Sequence, residues 1–150
     1  MGILYLILSN IGASSPKSTF EVKMSSTIPA ESVKVVSFGI FHTSAPTART
    51  LNVNIPFLNT STTIMRCAGK ADGTTSDLYD SSQQNHNSLL FFLDRTAKDT
   101  IANSLDLDFT TSSYAIPSKF IVDVTDGDTG LPHTFEKLVV KLEYRVTRLF

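Results

Sequence analysis

A chain of 150 residues with 13 Lys+Arg, 14 Asp+Glu and a net charge of −1 at pH 7 has the length of one domain, and it lacks the basic excess of a protein built mainly to grip nucleic acid. Hydrophobic residues at 41% and charged residues at 18% exclude wholesale disorder, because disordered chains are poor in core formers and rich in net charge. The single cysteine, Cys67, excludes an internal disulfide and with it a stapled secreted miniprotein.

The first apolar run, Gly2 to Leu8, has no Lys or Arg before it and is far shorter than the roughly 20 residues of a spanning helix, so neither a signal peptide nor a membrane span is expected. Leu6 stands where a myristoylation pattern needs Ser or Thr. A strand is expected instead. With Ile3, Leu4, Tyr5, Leu6, Ile7 and Leu8 apolar on both sides, it should be covered on both faces, at a sheet edge or groove in a subunit contact. Ser9 to Ser18 is a polar link long enough to let that strand pair away from its neighbour in sequence. The chain therefore divides into a strand and link over 1–18, a candidate partner contact, and a β-sandwich domain over 19–150.

Beyond the link the period is mostly two. Phe20, Val22 and Met24 alternate with Glu21 and Lys23, and Ser32 to Phe41 is more continuously apolar, as a central strand would be. Leu51, Val53, Ile55 and Phe57 alternate with Asn52, Asn54 and Pro56. Strands are also expected over Thr62 to Cys67 and Ser88 to Asp94, separated by a polar loop over 69–87. Thr96 with Asp99 three residues later resembles a capping pair, which predicts a turn or two of helix over Thr96 to Ser104. Leu105, Leu107 and Phe109 alternate with Asp106 and Asp108, and Phe120 to Thr125 runs into the turn dipeptide Asp126-Gly127. In Phe135 to Phe150, Lys137, Lys141 and Arg145 recur every four residues and suggest a helical repeat. Leu138, Val140, Leu142, Tyr144 and Val146 nevertheless hold alternate positions, which predicts a long strand with those five buried. The fold class is all-β: an antiparallel β-sandwich of jelly-roll or Greek-key type with at most one short helix.

The chemistry is sparse. Asp123, Asp126 and Asp128 gather hard oxygen ligands around glycines, but without the spacing of a calcium loop, and Asp-Gly pairs form turns without any ion. Asp72, Asp77 and Asp80 make a weaker acidic loop, and His42, His86 and His133 are scattered, as exposed or core histidines would be. No G-x-S-x-G elbow, cysteine-protease signature or phosphate-binding glycine loop is present, so no catalytic residue, cofactor or metal is assigned and no enzyme is expected.

A short apolar start, a polar link, the alternating strand Phe20 to Met24, the Ile28-Pro29 break and the hydrophobic strand Val33 to Phe38 resemble, in layout, the small single-jelly-roll minor capsid proteins of large icosahedral DNA viruses and virophages. The long last strand with Tyr144 and Phe150 fits the same layout. The resemblance implies a non-enzymatic virion subunit, assembled inside the host cell, that bridges or cements capsomers. Its partners would be the major capsid protein, other capsid subunits or itself. Two binding modules share the strand count. A lectin-like sandwich would use Tyr79, Gln83, Gln84, Asn85 and Asn87, without any Trp for sugar stacking; a trimeric tumour-necrosis-factor-like domain would need an export signal.

Overall fold

The computed structural model describes residues 2–59, 88–127 and 129–146, and their alternating inward and outward side chains form the strands β1 (Gly2–Ser9), β2 (Thr19–Lys23), β3 (Ile28–Pro29), β4 (Ser32–Phe41), β5 (Thr50–Asn54), β6 (Leu58–Asn59), β7 (Ser88–Phe92), β8 (Asp99–Ala102), β9 (Leu107–Thr111), β10 (Ala115–Ile116), β11 (Lys119–Asp126) and β12 (Lys137–Arg145). The only helix among these residues is a 3₁₀ turn, Ser112–Tyr114. The strand expected over Thr62 to Cys67 lies outside the described residues.

All named pairings are antiparallel, and the principal ones are nested. β1 pairs β12, β2 pairs β11, β4 pairs β8 and β9 along different parts of its length, and β5 pairs β7. Successive pairs alternate between two sheets: β1-β12-β4-β9-β6, with β8 also on β4, and β2-β11-β5-β7. A long two-stranded ribbon whose ends meet first and whose middle closes last, wrapped over two facing sheets, is a jelly roll. The expected all-β sandwich is therefore present. The polar link does carry β1 away from its sequence neighbour β2, and β1 pairs over its whole length, from Gly2↔Tyr144 to Ser9↔Lys137.

The core lies between the sheets. At its centre the fully buried rings of Phe38 on β4 and Phe91 on β7 stack across the gap, with centroids 3.9 Å apart and planes within 5°. Phe57 meets Phe120 edge to face at 5.0 Å. β12 contributes Leu138, Val140 and Leu142, all fully buried. Val146, expected to extend that row, is 44% exposed because it lies past the end of the strand.

The apolar run within β4 has a different cause from burial on both faces. Its inward residues are Val33 and Val35 and then Phe38 and Ile40, a change of parity within one strand. Between Lys141 and Leu142 of β12 the register to β4 jumps from Ser37 to Val35, so Val36 is an extra residue. That bulge turns the second half of the strand over and keeps both apolar pairs facing the core.

The helix expected over Thr96 to Ser104 is absent, and Asp99–Ala102 is a strand on β4. Thr96 does not cap toward Asp99. Its amide and hydroxyl both donate to Asp94 Oδ1, at 2.9 and 2.6 Å, which closes a tight turn and holds the Asp94 carboxyl below its usual range. Thr100 then points inward with its Oγ1 accepting from the Asp94 amide at 2.8 Å, and Ile101 points outward. Pairing with β4 outweighs the local capping pattern.

The link after β1 is fastened by buried Asn10. Its Nδ2 donates to the carbonyls of Lys17 (2.8 Å) and Phe135 (2.9 Å), and its Oδ1 accepts from the Lys17 amide at 2.8 Å. Asn10→Ala should strand these groups and lower unfolding free energy by about 1–3 kcal/mol, read from denaturant midpoints at unchanged m-value.

Candidate functional site

Two features of the described residues carry chemistry: the outward face of the β1–β12–β4 sheet, and a histidine pair at one end of the sandwich.

On the outward face, Ile3, Tyr5 and Ile7 of β1 are 55%, 56% and 55% exposed, while Leu6 and Leu8 are buried and Leu4 packs against the core. Within the chain the second sheet covers only the inward row of this strand, and among the described residues the outward row lies open, where the expected subunit contact would have to cover it. Cross-strand register extends the outward row. Ile7 stands beside Val139, Val139 beside Gly39, and Gly39 beside Ile101, which is 58% exposed. An apolar stripe therefore crosses four strands without a charge. The next row is Tyr5 and Lys141, with Lys141 Nζ 5.8 Å from the Tyr5 ring centroid. Charges gather in the row of Glu143, Lys34 and Asp108, facing Ile3. Among the described residues β1 is also the sheet's edge, and its 8 residues include no charge and no proline, the usual guards of an exposed edge.

At the end of the sandwich, three connections converge: the β1–β2 link, the β4–β5 segment and the stretch between β11 and β12. Together they wall a cleft of about 690 Å³ that His42, His133, Asp126 and Glu136 line. His42 follows the last residue of β4, and its Nδ1 lies 2.9 Å from the Lys98 carbonyl oxygen. Its Nε2 lies 2.8 Å from His133 Nε2, with the rings at 89°. His133 Nδ1 lies 2.5 Å from Asp126 Oδ1. Both histidines are buried, at 7% exposure, and burial is the main cause pushing the His42 pKa down, with the His133 ring adding to it and the Lys98 carbonyl, Asp99 and Glu136 opposing.

The acidic loop is a turn. The Gly130 amide donates to the Asp126 carbonyl at 2.8 Å, Gly130 adopts φ +74°, and Gly127 sits so close to the Thr50 side chain that a Cβ would overlap it. Asp123 accepts from the Thr19 hydroxyl across the sheet at 2.7 Å, and Asp126 faces His133, so the two carboxylates have separate partners; Asp128 lies outside the described residues. Among the described residues no group of three or more His, Cys, Asp or Glu side chains is placed to hold a metal ion. Cys67, His86, the acidic loop of Asp72, Asp77 and Asp80, and the amide loop of Tyr79, Gln83, Gln84, Asn85 and Asn87 also lie outside the described residues. Among the described residues no helix is long and apolar enough to cross a membrane.

Sequence reasoning did not single out the histidine pair, since 91 positions separate its members. The usable signal was the β4–β12 pairing, which sets Phe41 opposite Lys137 and so brings residues 42 and 133 to one end of the fold. Comparison with family models, with curated proteins and with solved structures finds no match to this chain.

Proposed function

We propose that this protein is a non-enzymatic structural subunit of a virion, a minor capsid protein that bridges or cements capsomers through the outward face and open edge of β1. The observation that carries the reading is the uncharged stripe Ile7–Val139–Gly39–Ile101 reaching an unguarded edge strand. An apolar row that ends on a strand edge with no neighbour among the described residues suits addition of a partner strand, where main-chain bonds supply affinity and alternate side chains supply specificity. The jelly-roll order supports the same reading, because this architecture recurs in capsid subunits and, by the same token, in lectins.

The test uses outward residues only, because deleting β1 would also remove the inward Leu6 and Leu8 from the core. Ile3→Lys, Tyr5→Lys and Ile7→Lys combined should keep the β circular dichroism and a melting temperature within a few degrees of wild type. In purified virions the wild-type chain should appear in fixed ratio to the major capsid protein, and the triple variant should be depleted at least tenfold. A variant that enters particles at the wild-type ratio, or a wild-type chain absent from virions, defeats the proposal. Glycan binding by the wild-type chain in its place would favour the lectin reading.

A further inference from the structure

The histidine pair poses a proton-counting problem with one solution. The Lys98 carbonyl can only accept, so His42 Nδ1 must carry a proton to bond it at 2.9 Å. The Asp126 carboxylate likewise accepts, so His133 Nδ1 carries a proton as well. With both outer nitrogens committed, the two Nε2 atoms face one another at 2.8 Å, a separation that requires one hydrogen between them. Two imidazoles then hold three ring protons and one positive charge, beside the negative charge of Asp126. Removing a proton sets two lone pairs against each other; adding one sets two N–H groups head to head.

We propose that His42 and His133 share a single proton near neutral pH and act as a latch that acid opens, releasing the connection between β11 and β12 from the end of β4 and widening the cleft between them. The latch spans both sheets, since β11 belongs to one and β4 and β12 to the other. The charged and titratable groups around His42 are His133 and Asp126 from the connection, Lys98 and Asp99 at the start of β8, and Glu136 and Lys137 at the start of β12. Their signs are mixed, so they do not replace the shared proton as the source of pH dependence.

A divalent metal fits the same nitrogens less well. Two zinc–nitrogen bonds of about 2.0–2.1 Å at a tetrahedral angle hold the nitrogens about 3.3 Å apart, beyond the observed 2.8 Å, and no third ligand side chain is grouped with them among the described residues.

The sign of the pH dependence follows from proton counts. In the unfolded chain an imidazole takes up its proton near the ordinary value of about 6.5. The closed pair resists its second proton, in keeping with the lowered His42 pKa. That contribution is complete above about 6.5 and is lost as the pH falls, by up to about tenfold in the closed-to-open ratio per pH unit. Loss of the shared proton weakens the closed state on the alkaline side as well, so stability peaks near neutrality.

The experiment follows the folded full chain in two ways. Imidazole nitrogen NMR at pH 7 should assign three ring N–H protons to His42 and His133, with His86 identified by His86→Gln, one of the three coupled to both Nε2 nuclei, and this signal should vanish by about pH 5 as hydrogen exchange quickens in peptides covering 42–48 and 131–136. The melting temperature against pH should fall on both sides of neutrality. In His42→Gln the acid limb should disappear, because an amide offers His133 Nε2 either a donor or an acceptor. Only two ring protons on His42 and His133 together at pH 7, or an acid limb of wild-type slope in His42→Gln, overturns the latch. So does a rise in melting temperature with equimolar zinc that abolishes the shared-proton signal, since the nitrogens would then be metal ligands.

Discussion

Leu142→Asp is expected to unfold the protein. Leu142 is fully buried in β12, the strand held between β1 and β4, and its inward row meets the opposite sheet. Losing a buried leucine costs about 2–5 kcal/mol through lost transfer energy and the cavity left behind. A carboxyl group in the same place adds several more, whether it is forced neutral or stays charged without a partner. Against a total stability of about 5–15 kcal/mol for a domain, the sum removes the folded state at ordinary temperature. The check is loss of the cooperative thermal transition and of soluble monomer. Lys141→Ser, one position away on the outward face, should cost at most about 1 kcal/mol, because it loses only an exposed contact with the Tyr5 ring. If both variants fold alike, the inward face of β12 has been assigned the wrong way round.

Phe38→Ala should be the largest destabilisation that still leaves a measurable fold, at about 3–5 kcal/mol. Phe38 and Phe91 lie 3.9 Å apart in parallel stack at the middle of the sandwich, so removal of either ring opens a void that the pairing of the strands prevents from collapsing. Phe91→Ala should cost a similar amount, and the double variant less than the sum. The coupling expected from a double-mutant cycle is about 0.5–1.5 kcal/mol, measured by urea unfolding in a stabilising buffer if the double variant is marginal. Strict additivity would show that the rings contribute only their separate burial and that the contact between sheets at this point is incidental.

The strands themselves were legible because side-chain alternation is local: whether Leu138, Val140 and Leu142 share a face depends only on the two-residue period of an extended chain. The same holds for Phe20 and Val22, for Leu51 and Val53, and for the turn at Asp126-Gly127, which the Asp126 carbonyl closes by accepting from the Gly130 amide. The apolar row of β1 was visible for that reason too. What covers each of its sides was not, since that depends on which element packs there.

Where a local signal met a distant one, the distant one prevailed. The Thr96–Asp99 pattern is a fair helix start in isolation, yet Asp99–Ala102 finds a row of free donors and acceptors on β4 and pairs with them. The apolar run of β4 reads as a strand buried on both faces until β12 is placed beside it and forces the extra residue at Val36 that reverses its parity. Composition and period were enough to determine an all-β chain with an apolar first strand. The nesting of β1 with β12 and β2 with β11, the stripe across four strands and the meeting of His42 with His133 were decided by tertiary structure alone. The physical reason is range: periodicity is carried by neighbours two residues apart, whereas register, sheet order and proton sharing arise between residues that only the folded backbone brings within a few ångströms.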